Sequence, residues 1–134
     1  MAEASPTITI YDETTSGGRT KAFTLQLATE RLTVRELIRR RVRHEVEEYN
    51  RSTPEYFRGL VQPTEAERTL NGYRVRTRRA LDWNEQYDAA VKAFQRNGFF
   101  ILVGDEQVDG LDDEIVFTKD TDVRFLRLTP LVGG

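Results

Sequence analysis

The chain contains no cysteine. That absence removes disulfides, thiolate metal sites and a cysteine nucleophile together. In a thioester relay such a chain can only be the acyl group, never the thiol that carries it. A single histidine, His44, leaves little from which to build a metal site or an acid–base pair. No apolar run approaches the roughly 20 residues needed to cross a bilayer. Met1 to Pro6 has neither a basic start nor an apolar stretch, so no signal peptide is expected and the expected location is cytoplasmic. Without secretion, the glycosylation-like triplet Asn50-Arg51-Ser52 carries no meaning. A net charge of −2 argues against a nucleic-acid partner.

What is present suits one domain. The 134 residues are 38% apolar and 31% charged, enough to bury a core without staples. Thr7-Ile8-Thr9-Ile10-Tyr11 alternates and is β-branched, which predicts a strand. Thr14 to Gly18 is a turn cluster, and the alternation of Ala22 to Leu27 completes a hairpin. Thr33 as N-cap with Glu36 three residues on predicts a capping box. Val34, Leu37, Ile38, Val42, Val46 and Tyr49 then define the apolar face of a helix that fades towards Pro54.

Residues 51–81 are less legible. Asn71-Gly72 predicts a two-residue hairpin turn followed by an exposed strand from Tyr73 to Thr77. Asp82 as N-cap, Glu85 as its partner, and Tyr87, Val91 and Phe94 along one face predict a second helix, closed by Asn97-Gly98. Trp83, in its first turn, is expected to be a core or insertion contact. Phe99 to Val103 reads as a buried strand, Glu106 to Val108 as a brief one and Glu114 to Phe117 as another. Asp122 to Leu128 is the last strand, apolar on both faces and therefore expected near the centre of a sheet. Pro130 cannot donate to a ladder, so Leu131-Val132-Gly133-Gly134 is expected to project as a tail.

A terminal carboxylate must be activated, for example as an acyl-adenylate, before it acylates anything. Side chains beside it would block ATP and the nucleophile, whereas glycine threads a narrow channel in almost any conformation. Gly133-Gly134 meets that need, although glycine is also common in ordinary chain ends.

The order of elements resembles the β-grasp fold of ubiquitin and its relatives. Ile101-Leu102-Val103-Gly104-Asp105-Glu106-Gln107-Val108-Asp109-Gly110 looks like the ubiquitin stretch I-F-A-G-K-Q-L-E-D-G, and Leu126-Arg127-Leu128 with Gly133-Gly134 looks like its L-R-L-R-G-G ending. Thr129 to Val132 lengthen the tail, and Pro130-Leu131-Val132-Gly133-Gly134 is closer to the sulfur carriers of molybdopterin and thiamin synthesis. The mixture is similar to bacterial ubiquitin-like proteins encoded beside an activating enzyme, a conjugating enzyme and a JAB-type peptidase, several of which act in antiphage defence.

The resemblance implies an α+β fold: a mixed sheet of four or five strands on one long helix. The whole chain, 1–134, would be a single domain, with 51–97 as an inserted hairpin and second helix and 129–134 as a flexible tail. It implies a modifier rather than an enzyme, with no cofactor of its own because the activating enzyme uses the ATP. That enzyme, a conjugating enzyme, a deconjugating peptidase and target proteins are the expected partners, with no nucleic acid and no membrane. Gly134 would bear the adenylate, the thioester and the final amide, and Gly133 would keep the tail thin. Ile101, Phe125, Arg127, Leu131 and Val132 would meet partners. For Ile101 and Phe125 core packing is an equal alternative, and for Arg127 a solvated strand charge. Asp105 stands where ubiquitin has its main chain-forming lysine, and Lys21, Lys92 and Lys119 are the only lysines. A sulfur carrier with a thiocarboxylate at Gly134, and a non-covalent interaction module, are the competing functions.

Other constellations are weaker. The i,i+4 partners Glu36–Arg40, Arg41–Glu45 and Arg43–Glu47 predict a solvated, salt-laced helix face. Arg74 to Arg79 lacks such partners and is open to a protein or to an acidic patch. Asp105, Asp109 and Gly110 begin like a calcium loop, but Gln107 and Val116 occupy ligand positions, which rejects it. Asp112-Asp113-Glu114 reads as an exposed turn. There is no phosphate-binding loop, nucleophile elbow or dinucleotide fingerprint.

Overall fold

The alternation that opens the chain becomes β1 (Thr7–Thr14), and the Thr14–Gly18 turn returns it as β2 (Arg19–Gln26). The computed structural model describes residues 6–64, 66–69, 72–75, 80–118 and 121–127, and for Lys21 and Ala22 the backbone alone. The architecture is α+β; the described residues form one mixed sheet, two small two-stranded sheets and two helices. The described residues fall into two compact units, one made of residues up to 34 and from 96 onward, the other of residues 35–95.

The first unit is a sheet. Its remaining strands are β6 (Phe99–Val103), β7 (Glu106–Val108) and β9 (Asp122–Arg127), in the order β2-β1-β9-β6-β7. β9 lies at the centre, parallel to β1 and antiparallel to β6. That is the position expected of a strand apolar on both faces. Ile8, Ile10, Ile101, Val123 and Phe125 share one face and are fully buried. One extra residue in β2 shifts the hairpin register between Ile10 and Tyr11, a bulge that sharpens the local twist. A separate pair, β3 (Arg31–Thr33) with β8 (Glu114–Val116), is antiparallel, and the sequence pattern does not announce β3. The turn before β8 also supplies the Asp113 carbonyl that accepts the N–H of Val34, one of the donors a helix start leaves without a partner.

The second unit holds α1 (Val34–Ser52), apart from its first residue, then β4 (Ala66–Thr69), β5 (Gly72–Val75) and α2 (Trp83–Gln95). Every position expected on the apolar face of α1, from Val34 to Tyr49, is buried. Asn50 near its end is engaged on both sides by Leu81, its amide donating to the Leu81 carbonyl at 3.0 Å and its oxygen accepting the Leu81 N–H at 2.7 Å.

The ion pairs expected along α1 form, but the face they share is not uniformly solvated. Arg40 meets Glu36 at 3.5 Å and Arg43 meets Glu47 at 2.9 Å. Arg41, at 0% exposure, donates to the Glu45 carboxylate at 3.1 and 3.2 Å, and the other oxygen of Glu45 accepts the Leu60 N–H at 3.1 Å. The pair is tolerable inside because carboxylate and guanidinium leave water together and the spare lone pairs find a backbone donor.

Three local expectations shift by one residue. Thr69 pairs with Gly72, so the two residues between the strands are Leu70 and Asn71, both outside the described residues, and Gly72 opens β5 rather than closing the turn. Glycine is needed at 72 for another reason. Its φ is +128°, and a Cβ there would come within 3.0 Å of the Phe57 carbonyl, which accepts the N–H of Tyr73. On α2 the buried positions are Gln86, Ala90 and Phe94, while Tyr87 and Val91 are only half-buried. Gln86 is tolerated inside because its amide donates to the Val61 carbonyl at 3.2 Å. Asp82 caps α2 as expected, its Oδ1 accepting the N–H of Asn84 at 2.9 Å. Asn97, at φ +62°, supplies the left-handed residue after α2, so Gly98 does not.

Candidate functional site

Gly133 and Gly134, with Leu131 and Val132, lie outside the described residues. The last described residue before them is Arg127. Its carbonyl accepts the N–H of Thr15 at 3.2 Å, so the chain is held to the sheet up to that point. Its guanidinium lies 3.4 Å from the Asp12 carboxylate on the neighbouring strand and is about one-third exposed. Arg127 is thus a partly covered, ion-paired side chain at the end of the central strand.

Ile101 and Phe125 are direct register partners across β6 and β9, so the expected neighbour relation is present. Both are at 0% exposure, and Phe125 packs against the ring of Phe99 with centroids 5.8 Å apart. Their burial favours the core alternative over the contact patch. In a strand, a shift of one residue moves a side chain to the other face. The opposite face at the same place carries Phe100, Leu102, Arg124 and Leu126, with Phe100 opposite Leu126 and Leu102 opposite Arg124. All four are half-buried. Arg124 was the available signal: a charge between Val123 and Phe125 marks the outward phase of β9, and the register carries that phase to Phe100 and Leu102.

Charge borders this apolar strip on the β1 side. Tyr11 and Glu13 lie opposite Arg124 and Leu126. Glu13 is 3.5 Å from both Arg124 and Arg19, and the Arg19 guanidinium sits 4.0 Å from the centre of the Tyr11 ring. Arg124 also donates to the Gly104 carbonyl at 3.1 Å. The arrangement holds three apolar side chains beside a fixed set of charges, which suits recognition by another protein.

The remaining sequence candidates are scattered. Asp105 is exposed in the β6–β7 turn and Lys92 is exposed on α2, while Lys119 and the side chain of Lys21 lie outside the described residues. Arg74 is exposed, and Arg76 to Arg79 also lie outside. Trp83 is half-buried, with the guanidinium carbons of Arg39 and Arg43 at 5.2 and 5.6 Å from its ring centre. Asp113 folds back on its own turn, accepting the N–H of Gly110 at 2.9 Å. Among the described residues, no group of three or more His, Asp or Glu is placed to hold a metal ion, and no helix is long and apolar enough to cross a membrane. No protein family, curated protein or solved structure matches the chain.

Proposed function

We propose that the protein is a ubiquitin-like modifier with a β-grasp fold, joined to target proteins through the Gly134 carboxylate. A partner enzyme activates that carboxylate with ATP, and a conjugating enzyme carries it as a thioester. The observation that carries the reading is the strand order: the first and last described strands lie side by side and parallel at the middle of a mixed sheet, with a hairpin on each flank. The end of the central strand then leads within a few residues to Gly133-Gly134. The outer face built from Phe100, Leu102 and Leu126, bordered by Arg124, is the surface we assign to partner enzymes in place of Ile101 and Phe125.

The test is intact mass of the protein from cells that carry its native neighbouring genes, compared with a version lacking Gly134. Protein adducts that disappear on deletion are the expected result. A free species in which one oxygen has become sulfur makes the protein a sulfur carrier. No tail-dependent change overturns both and leaves an interaction module. Within the modifier reading, Leu102→Ala should reduce adduct formation several-fold while lowering stability clearly less than Phe125→Ala does.

A further inference from the structure

A second surface of the sheet unit adjoins that outer strip, where Arg124 donates to the Gly104 carbonyl. β7 pairs with β6 alone and β8 with β3 alone among the described residues, so each keeps an unpaired edge. Both strands lend side chains to one groove of about 630 Å³. Its apolar floor is made by Val103, Val108, Ile115 and Val116. Val116 is 51% exposed and is the large apolar side chain that stands out most to solvent among the described residues. A volume of this size lies within the range of sites that hold ligands, and apolar exposure beside open strand edges marks surfaces that accept a further chain.

The charged side chains among the described lining residues are all acidic. Glu106, Glu114 and Asp122 border the groove, and no described lining residue is basic. Glu114 is held by Arg31 at 2.8 Å and Asp122 lies 3.9 Å from Arg19. Glu106 is exposed and has no ion-pair partner among the described residues. Glu106 belongs to a stretch, Gly104 to Glu114, that holds six acidic residues and no basic one. An acidic or purely apolar occupant would leave that charge unanswered, whereas a cationic one meets it. Lys119, which lies near the rim in sequence, is outside the described residues.

We propose that this groove docks an extended segment of a partner protein that sets aliphatic side chains on the valine floor and a lysine or arginine against Glu106. Strand addition at the edges of β7 or β8 supplies main-chain hydrogen bonds, the floor selects β-branched or aliphatic residues at alternate positions, and Glu106 selects the charge between them. The proposal goes beyond the modifier reading and does not depend on Gly134.

The test uses the full chain and two capped synthetic peptides, one alternating valine and arginine, the other alternating valine and glutamate. Amide shifts are followed by ¹⁵N–¹H NMR. The basic peptide should shift Val103, Glu106 to Val108, Glu114 to Val116 and Thr121, saturably, and more weakly as salt rises. Glu106→Lys should weaken binding about tenfold, the scale expected for one charge-assisted contact. Val116→Asp, a substitution at an exposed position, should weaken it similarly, with both variants keeping the melting temperature of the parent. Removing Gly134 should change nothing, which separates this outcome from the fate of the modifier reading. Equal response to the acidic peptide, shifts centred elsewhere, no shifts, or full binding by both folded variants would each overturn the proposal. Concentration-dependent shifts of the same amides without peptide would assign the groove to a second copy of the chain and overturn the partner assignment.

Discussion

The sheet unit and the helical unit both interleave arginine with carboxylate, and they do so at different depths. In the sheet unit Arg19, Arg31, Arg124 and Arg127 all meet acids with both partners in contact with solvent. In the helical unit Arg43–Glu47 does the same, with side chains 57% and 56% exposed, while Arg41–Glu45, at the same spacing on the same helix, is 0% and 9% exposed. Spacing decides which charges meet; the surroundings decide what the meeting contributes. A solvated pair adds about 0.2–1 kcal/mol. A buried pair adds little over an apolar replacement, yet breaking it by removing one partner is strongly destabilising.

The sharpest way to break this comparison is at Glu45. Glu45→Ala should destabilise by about 3–5 kcal/mol in urea unfolding, because Arg41 then stays inside without its carboxylate. The double variant Arg41→Met with Glu45→Leu should recover most of that loss. If Glu45→Ala costs no more than a surface pair, the buried pair is not distinct from its neighbours. Phe125→Ala in the sheet unit should cost about 3–5 kcal/mol through the cavity it leaves. Leu126→Ala, one residue on and on the outer face, should cost clearly less, so equal losses would contradict the assignment of faces. Asp82→Ala should cost about 1 kcal/mol by removing the cap of α2. Smallest is Arg43→Ala, expected to change stability by no more than about 0.5 kcal/mol and only at low salt.

Much of the fold was legible because its periodicities are clean. The apolar positions of α1 stand out against charge on every other side, and all of them are buried. β1 and β9 carry polar residues that mark their phase. β6 does not: Phe99 to Val103 is apolar throughout, so nothing in it tells Ile101 from Leu102, and the sequence leaves core packing and partner contact as equal readings of Ile101. Burial of Arg41 and Gln86 was illegible for a different reason. Each depends on a backbone group far away in sequence, Leu60 for the partner of Arg41 and Val61 for Gln86. β3 is three residues with one buried leucine, too short to show a period. Of the candidate site, the Gly133-Gly134 ending rests on sequence alone, whereas the outer strip emerged only once strand register was known.

The place of β9 also bears on how the protein is made. The hairpin of β1 and β2 is local and can form as soon as it is synthesised, but the sheet lacks its middle until Asp122 to Arg127 arrive and slot between β1 and β6. Pairings this distant in sequence close late and slowly. A nascent chain still missing β9 would expose one edge of β1 and one of β6, open to mispairing with other chains. Maturation of the sheet therefore waits for Asp122 to Arg127, the strand that both flanking hairpins need before either can lose its open edge.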